Sequence, residues 1–474
     1  MGYVLISAAH KSSGKTMIST GLTRAFAARG LNVQPFKKGP DYIDPKWLSE
    51  AAGKPCFNLD FNTQANEEIL AFFTAKAQSA NLALIEGNKG LYDGVDVEGS
   101  DSNGALAKLL GAPVILVVDA SGITRGIAPL LMGYRLFDPD VNIQGVILNK
   151  VLGPRHEDKL VKAIERYTDL EVLGAVKRSE HLSVNERHIG LIPSNEHPHA
   201  RERINLLART VEEQVDIDRV LAIASTAPAL PASSNAAPNA FPDGHKMDVC
   251  IAVAKDAAFG FYYADDLEAL KRAGARIVYF NALKDVYLPT CDGLFLGGGF
   301  PETQMDKLSA NQTLRGRIKA AIEAGLPTYA ECGGLMYLSR TITWGDTQHD
   351  MVGIVPGDAL MHPRPQGRGY VRLKSTAAHP WPVHGSDAEG NLPAHEFHHS
   401  TLENLPDDLT FAYDVSRGRG VNGAQDGIVL YNLVAGYAHL RDTSRCRWAE
   451  PFTAFVRRLK RARNGSSSPA QVAG

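Results

Sequence analysis

Residues 9–16, Ala-His-Lys-Ser-Ser-Gly-Lys-Thr, constrain this chain more than any other stretch, because an apolar run from Tyr3 to Ser7 precedes them and a helix-like run from Met17 to Ala28 follows. A strand, a small-residue loop and a helix in that order form a phosphate cradle. Backbone N–H groups of the loop and the positive helix N-terminus point at the phosphates, Lys15 adds a mobile positive charge, and the Thr16 hydroxyl can ligate Mg²⁺. Ser12, Ser13, Gly14, Lys15 and Thr16 are therefore candidate nucleotide contacts. Ala9 stands where such loops usually carry a first glycine, and Lys11 is extra, so the match is to GKT and its spacing. The alternative is a structural turn that contains GKT, and the neighbouring KKGPDYIDP at 37–45 argues for the nucleotide.

At 474 residues the chain is long enough for two domains with full cores. Up to about residue 225, short apolar runs alternate with longer amphipathic ones, which predicts an α/β domain with a parallel sheet and helices on both faces. Strands are expected at Tyr3 to Ser7, Val33 to Phe36, Leu82 to Ile85, Val114 to Val118 and Val146 to Leu148. Residues 226–247 are rich in Ala, Pro, Ser and Asn and read as a linker. A second alternating system occupies 248–460, through DVCIAVA, RIVYF and GLFLGGG, and 461–474 reads as a disordered tail. The halves share no internal repeat, so two different folds are joined.

With 50 basic and 52 acidic residues mixed along the chain, no charge asymmetry points to nucleic acid or a membrane surface. A small molecule is the expected partner. The most apolar stretch, Pro113 to Val118, is too short to span a bilayer and no leader pattern opens the chain, so a cytoplasmic location is expected. Five cysteines, none paired at two-residue spacing, argue against a disulfide framework and a structural zinc. Any chemically important cysteine is then a lone thiol.

Asp41 and Asp44 follow one predicted strand, and Glu86 and Asp93 follow another. Ligands of open α/β sheets lie beyond the carboxyl ends of the strands, so these acids converge on the phosphate loop. One reading is that Asp41 and Asp44 merely cap a helix starting near Pro45; the other is Mg²⁺ ligation and substrate positioning. GLYDG at 90–94 turns on two glycines, which suits close approach of a large ligand to the backbone.

In the second half, PTYAECGGLMYL at 327–338 reads as strand, sharp turn and helix with Cys332 at the apex. Such a turn exposes a sulfur whose thiolate the helix N-terminus favours. LGGGFPE at 296–302 offers N–H groups at Gly298 and Gly299 for an oxyanion, and His439 in GYAHL, after an apolar strand, is the first choice of base. His395, Glu396, His398 and His399 suggest a metal by composition alone; shaping of the pocket is the favoured reading.

KKGPDYIDP, FNLD at 57–60, IEGNKGLYDG at 85–94, PVILVVDA at 113–120 and NERHIGLI at 185–192 resemble the cobyrinate a,c-diamide synthases. DAAFGFYYADDLEAL, LGGGFPE, YAECGGLMYL, AHEFHHS and GYAHL, in that order, resemble the class I glutamine amidotransferase domains fused to them. The resemblance implies a P-loop NTPase-like, dethiobiotin-synthetase-like domain followed by a class I glutaminase domain, with ATP and Mg²⁺ as cofactors and L-glutamine and a tetrapyrrole as substrates. It implies catalytic roles for Asp41, Asp44, Glu86 and Asp93, with Mg²⁺ on Thr16, Asp41 and Glu86. Tyr42, Asp44, Lys89, Tyr92 and Asp93 would face the macrocycle, and Asn149 the adenine; from the residues alone, a core or capping asparagine is as good a reading of Asn149. Cys332 becomes the nucleophile that forms a glutamyl thioester and His439 its base. Many relatives carry a glutamate two residues past that histidine, and Arg441 stands there, so a dyad is expected.

The two halves then have one purpose. A carboxylate resists ammonia until ATP converts it to an acyl phosphate, and ammonia released from glutamine needs a protected passage to reach it. Cobyrinate or hydrogenobyrinate is the first substrate class. Asn88 and Lys89 replace an apolar pair usual in corrinoid enzymes, which keeps sirohaem or sirohydrochlorin as an alternative. A regulatory ATPase with an inactive glutaminase module is a reading of another class; His10 stands where its second lysine would be. A small-diamine ligase explains only the first half. A homodimer is compatible with the resemblance, and the sequence sets no oligomeric state.

Overall fold

The computed structural model describes residues 1–179, 186–187, 190–197, 199–231 and 247–465. By contacts the chain divides into two compact units, Met1–Pro238 and Asn239–Gly474. Residues 232–246 of the expected linker, residues 466–474 of the expected tail, and Asn185, His188 and Ile189 of the NERHIGLI motif lie outside the described residues.

In the first unit seven parallel strands are ordered β3-β2-β4-β1-β5-β6-β7. They are β1 (Gly2–Ala8), β2 (Val33–Lys38), β3 (Phe57–Leu59), β4 (Leu82–Glu86), β5 (Val114–Asp119), β6 (Ile143–Val151) and β7 (Glu171–Lys177). The five expected strands are present. Val4, Leu5, Ile6, Leu84, Ile85 and Val117 are fully buried, as a parallel sheet covered on both faces requires. The two additional strands escaped the pattern for physical reasons. β3 has three residues, too few for a periodicity, and β7 is an edge strand interrupted by Gly174 and only partly buried.

Helix α1 (Lys15–Ala28) buries Ile18, Leu22, Ala25 and Phe26, spaced for one helical face, in a core that also takes Leu207, Ala208 and Val211 of the helix Ala200–Gln214. Each of the larger side chains contributes about 1.5–3 kcal/mol by leaving water. The helices meet at Gly21, where an added Cβ would lie 2.6 Å from Val211 Cγ2. Even alanine there would force them apart and move the cradle at the start of α1. Sheet register does the remaining assembly. Glu86 at the end of β4 lies beside Ile6 of β1 on one side and Lys37 of β2 on the other, so three strand ends deliver their chemistry side by side.

In the second unit a nine-stranded sheet runs in the order Ala275–Phe280, Val249–Ala254, Gly293–Leu296, Thr328–Glu331, Leu433–Gly436, Gln425–Leu430, Thr410–Arg417, Gly367–Ser375, Leu392–His398. Its first five strands are parallel and the rest antiparallel. Alternation along one strand builds two cores: Leu294 and Leu296 pack with Ala330 and Leu335, whereas Phe295 packs with Tyr329, Val434 and Trp448 on the opposite face. The last helix spans Ala449–Gly465. All five cysteines are free thiols. Among the described residues no helix is long and apolar enough to cross a membrane.

Candidate functional site

Each unit gathers polar groups where parallel strands end. In the first, the loop between β1 and α1 holds Ser12 at φ 64° and Gly14 at φ 94°. A Cβ on Gly14 would sit 2.1 Å from Asn149 Nδ2, so only glycine fits both the backbone and the neighbour. Asn149 donates from Nδ2 to the Ser13 carbonyl at 2.8 Å, and Lys150 donates from Nζ to the Ser12 carbonyl at 3.1 Å. Asn149, expected by resemblance to face adenine, holds the loop from the end of β6. Tyr134 donates its hydroxyl to the Ala9 carbonyl from another side.

Around this loop lies a buried charge cluster. Lys15 Nζ donates to the Lys89 carbonyl at 2.5 Å, and Thr16 Oγ1 donates to Glu86 Oε1 at 2.8 Å. At the centre is Lys37, 2% exposed, with Nζ 2.5 Å from Asp44, 2.9 Å from Glu86 and 3.8 Å from Asp41. Burial alone would lower its pKa, but Asp44, Glu86 and Asp41 together hold it well above the usual lysine value. Burial and then the charge of Lys37 pull Lys15 down to about 8. Glu86 is pushed up to about 7, by burial first, with Lys37 opposing and Asp44 adding. Asp41 rises to about 6 through burial and Asp44. Asp44 stays below the usual carboxylate range because Lys37 outweighs its burial.

Asp41 holds a local backbone turn and also faces the charge cluster. Its Oδ1 accepts from the backbone N–H groups of Ile43 (2.9 Å) and Asp44 (3.1 Å) at the start of α2 (Asp44–Ala52), while Oδ2 faces Lys37. Lys15, Thr16, Lys37, Asp41, Asp44 and Glu86 therefore form one constellation, and Glu86 Oε2 within it has no hydrogen-bond partner among the described residues. The turn after β4 flanks this cluster. Lys89 has φ 40° and an exposed side chain, and Asp93, exposed, accepts from Gly90 N at 2.8 Å. Tyr92 donates to the Tyr134 carbonyl at 2.6 Å and stacks on that ring, and Tyr42 is half-buried beside Asp41.

Sequence reasoning missed Lys37 as a site residue, although a charge inside a strand bound for a two-sided core was a legible signal. It also missed Asn58, whose Nδ2 donates to the carbonyls of Gly39 and Asp41, both at 2.8 Å. Asn103, which holds the 88–90 turn through the Asn88 N–H and the Gly90 carbonyl, carried no such signal.

In the second unit the buried strand Thr328–Glu331 ends at Cys332, with φ 47° and ψ −103°, and the short helix Gly333–Leu338 begins immediately after. A non-glycine residue in that region is strained, and the turn is held by Cys332 N donating to the Gly436 carbonyl at 2.8 Å. Glycine follows because the turn nests tightly: a Cβ on Gly334 would meet the Leu296 carbonyl oxygen at 2.2 Å, and one on Gly333 would meet Gly299 N at 3.0 Å. Gly298–Gly299 pairs antiparallel with Phe259–Phe261. A Cβ on Gly298 would lie 2.6 Å from His439 Cε1, so Cys332, His439, Gly298 and Gly299 meet in one place.

His439 is 3% exposed and stacks on His395 with centroids 4.9 Å apart. Burial would lower its pKa, but hydrogen bonds with Cys332 and Glu331 raise it to about 10. His439 Nδ1 lies 3.3 Å from Glu331 Oε2, a carboxylate that the expectation of a cysteine–histidine dyad did not include. The carboxylate comes from the residue before the thiol, a position that the two-residue spacing rule does not inspect. Arg441, at the usual acidic position, is fully buried, with Nε on Asp265 Oδ2 at 2.9 Å and its guanidinium over the Tyr263 ring. Glu396 accepts from the backbone of Arg419 and Gly420, His398 stacks on Tyr437, and His399 Nδ1 lies 3.1 Å from the His362 carbonyl.

Residues 5–191 match the model of the CobQ/CobB/MinD/ParA nucleotide binding domain, and residues 250–445 match that of the CobB/CobQ-like glutamine amidotransferase domain. The chain is 46% identical over 468 residues, 98% of each sequence, to a cobyrinate a,c-diamide synthase of Magnetococcus marinus. It is 39% identical to one of Methanosarcina barkeri over 97% of each sequence, and 39% identical to one of Archaeoglobus fulgidus over 92% of this chain and 93% of the relative.

Proposed function

This chain belongs to the cobyrinate a,c-diamide synthase family, and from that premise we propose that it uses ATP and glutamine to convert the a and c acetate carboxylates of a corrin-type tetrapyrrole to amides. The observation that carries the reading is the pairing, in one chain, of a phosphate loop facing buried acids and lysines with a strained cysteine beside an imidazole.

In the first unit the loop N–H groups of Ser12, Ser13 and Gly14, with Lys15, hold the phosphates of ATP. The γ-phosphoryl group passes to a substrate carboxylate, whose C–O oxygen then leaves as phosphate instead of oxide. Lys37, kept cationic by three acids, offsets the negative charge that gathers as phosphoryl and carboxylate approach. The donor set suits Mg²⁺: the Thr16 hydroxyl is bonded to Glu86, whose Oε2 has no partner among the described residues, and this ion is usually held by one or two carboxylates with phosphates and waters. When bound, Mg²⁺ neutralises phosphate oxygens. Asp41 would supply the second carboxylate toward it, and Asn149 would lie beside the nucleotide. Asp44, Asp93, Tyr42, Tyr92 and Lys89 orient the macrocycle.

In the second unit the Cys332 sulfur attacks the glutamine side-chain amide. Gly298 and Gly299 offer N–H groups to the oxyanion, and His439 passes a proton to the departing ammonia. Water then releases glutamate from the thioester. The ammonia displaces phosphate from the activated carboxylate, giving the amide.

Mass spectrometry after incubation with ATP, Mg²⁺, glutamine and each of cobyrinate, hydrogenobyrinate and sirohaem tests the proposal. Two amides gained on a corrin-type ring support it. Amidation of sirohaem alone transfers the activity to the other ring class, and ATP turnover without any amide leaves the regulatory ATPase.

A further inference from the structure

Resting on the glutaminase reading of Cys332 and His439, we infer that Glu331 is the carboxylate that orients His439 for glutamine hydrolysis, in place of the acid that Arg441 displaces from the usual position. The geometry begins with strand register. Glu331 pairs with Gly436, three residues before His439, so a side chain from the end of Thr328–Glu331 reaches the imidazole without any connecting loop. Both carboxylate oxygens are used. Oε2 faces His439 Nδ1 at 3.3 Å, while Oε1 accepts from the Tyr329 hydroxyl at 2.6 Å and from Leu440 N at 3.0 Å. At 3% exposure Glu331 has little access to water, so its two remaining anchors fix the oxygen that meets the ring.

The other sides of the imidazole are closed as well. His395 stacks on its face with an interplanar angle of 16°, and Gly298 lies against Cε1. With Nδ1 committed to Glu331, Nε2 is the nitrogen left to exchange a proton with the Cys332 sulfur. The group thus selects the tautomer and stabilises the imidazolium that forms when the thiol gives up its proton, and it never touches glutamine. The charged and titratable groups around this pair include Cys332 beside it, Tyr329 bonded to Glu331, His395 from the strand Leu392–His398, Arg441 on the same segment with its partner Asp265, Asp266 from the helix Ala264–Arg272, and Tyr262, Tyr413 and Cys446 near Glu331. Burial and the charges of His439 and Arg441 hold His395 well below the usual histidine value, so it stays neutral and does not compete for the role. Arg441 cannot serve, being a cation tied to Asp265.

The test uses the full chain with Glu331→Gln, which keeps an acceptor for Tyr329 and Leu440 but removes the charge. Glutamine hydrolysis should lose about 100-fold or more in kcat with KM for glutamine little changed. The alkaline limb of its pH profile should move down by about one pH unit or more. Amide formation driven by ammonium salts should persist. Glu331→Asp retains the charge and decides the matter if E331Q folds poorly: its alkaline limb should stay at the wild-type position although turnover falls. An E331Q enzyme with wild-type kcat and pH profile, or an E331D limb displaced downward, overturns this inference alone. A wild-type chain that releases no glutamate from glutamine overturns the glutaminase reading together with it.

Discussion

Both units place their chemistry at a turn from a parallel strand into a helix, yet the turns are built oppositely. Between β1 and α1 six residues, Ala9 to Gly14, open the backbone, with left-handed Gly14 at their end. Between Thr328–Glu331 and Gly333–Leu338 a single residue, Cys332, carries the whole reversal at positive φ. Under the proposed function, the wide turn serves electrostatics and the tight one serves a nucleophile. Their surroundings differ to match. The first site is dense in mutually dependent charges, where Lys37 faces three acids, while the second relies on a few groups held at fixed distances.

If the tight turn exists for its sulfur alone, Cys332→Ser should lower glutamine-driven amide formation by about 10⁴-fold or more while ammonium-driven formation continues. Loss of both activities would mean that the thiol supports the fold. The opposite pattern is expected of Lys37→Met. Leaving Asp44 and Glu86 buried without their cation should cost about 3–5 kcal/mol of stability and remove both activities, read by urea unfolding and by the ammonium assay.

A smaller change probes how much the second site depends on distance. Gly298→Ala forces a methyl group against His439, 2.6 Å from Cε1, and should reduce glutaminase turnover about 100-fold with ATP turnover intact. A normal rate would show that the imidazole has room to retreat. The pH dependence of stability separates the units in another way. His439, held near 10 against its ordinary 6.5, contributes stability in full below about 6.5 and loses it as pH rises through about 10. Glu86, raised from 4.5 to about 7, makes the first unit lose stability over that lower window instead. Each slope is at most about 1.4 kcal/mol per pH unit, and hydrogen exchange in β4 and in Leu433–Gly436 should resolve the two windows. His439→Gln should flatten the upper one only. The smallest effect expected is from Tyr134→Phe, which removes the hydrogen bond to Ala9 and should cost about 1 kcal/mol, seen as a modestly higher KM for ATP.

Local pattern alone determined the two α/β units, the five long strands of the first sheet, the phosphate loop and the turn that carries Cys332. Each is written in consecutive residues, as an apolar run, a small-residue loop or a pair of glycines, and the chain needs no distant partner to declare it. The candidate acids were legible too, since Asp41, Asp44, Glu86 and Asp93 all follow strands. What tertiary structure decided is which groups touch. Lys37 meets Glu86 across 49 positions and His439 meets Glu331 across 108, and no spacing rule connects residues whose proximity is set by the order and register of strands. The same holds for Asn149 under the loop and for Arg441, whose guanidinium is claimed by Asp265 from a helix 176 residues away. Periodicity reports which face of an element is buried, whereas a site is an agreement among the ends of several elements, and only the assembled sheet brings those ends together.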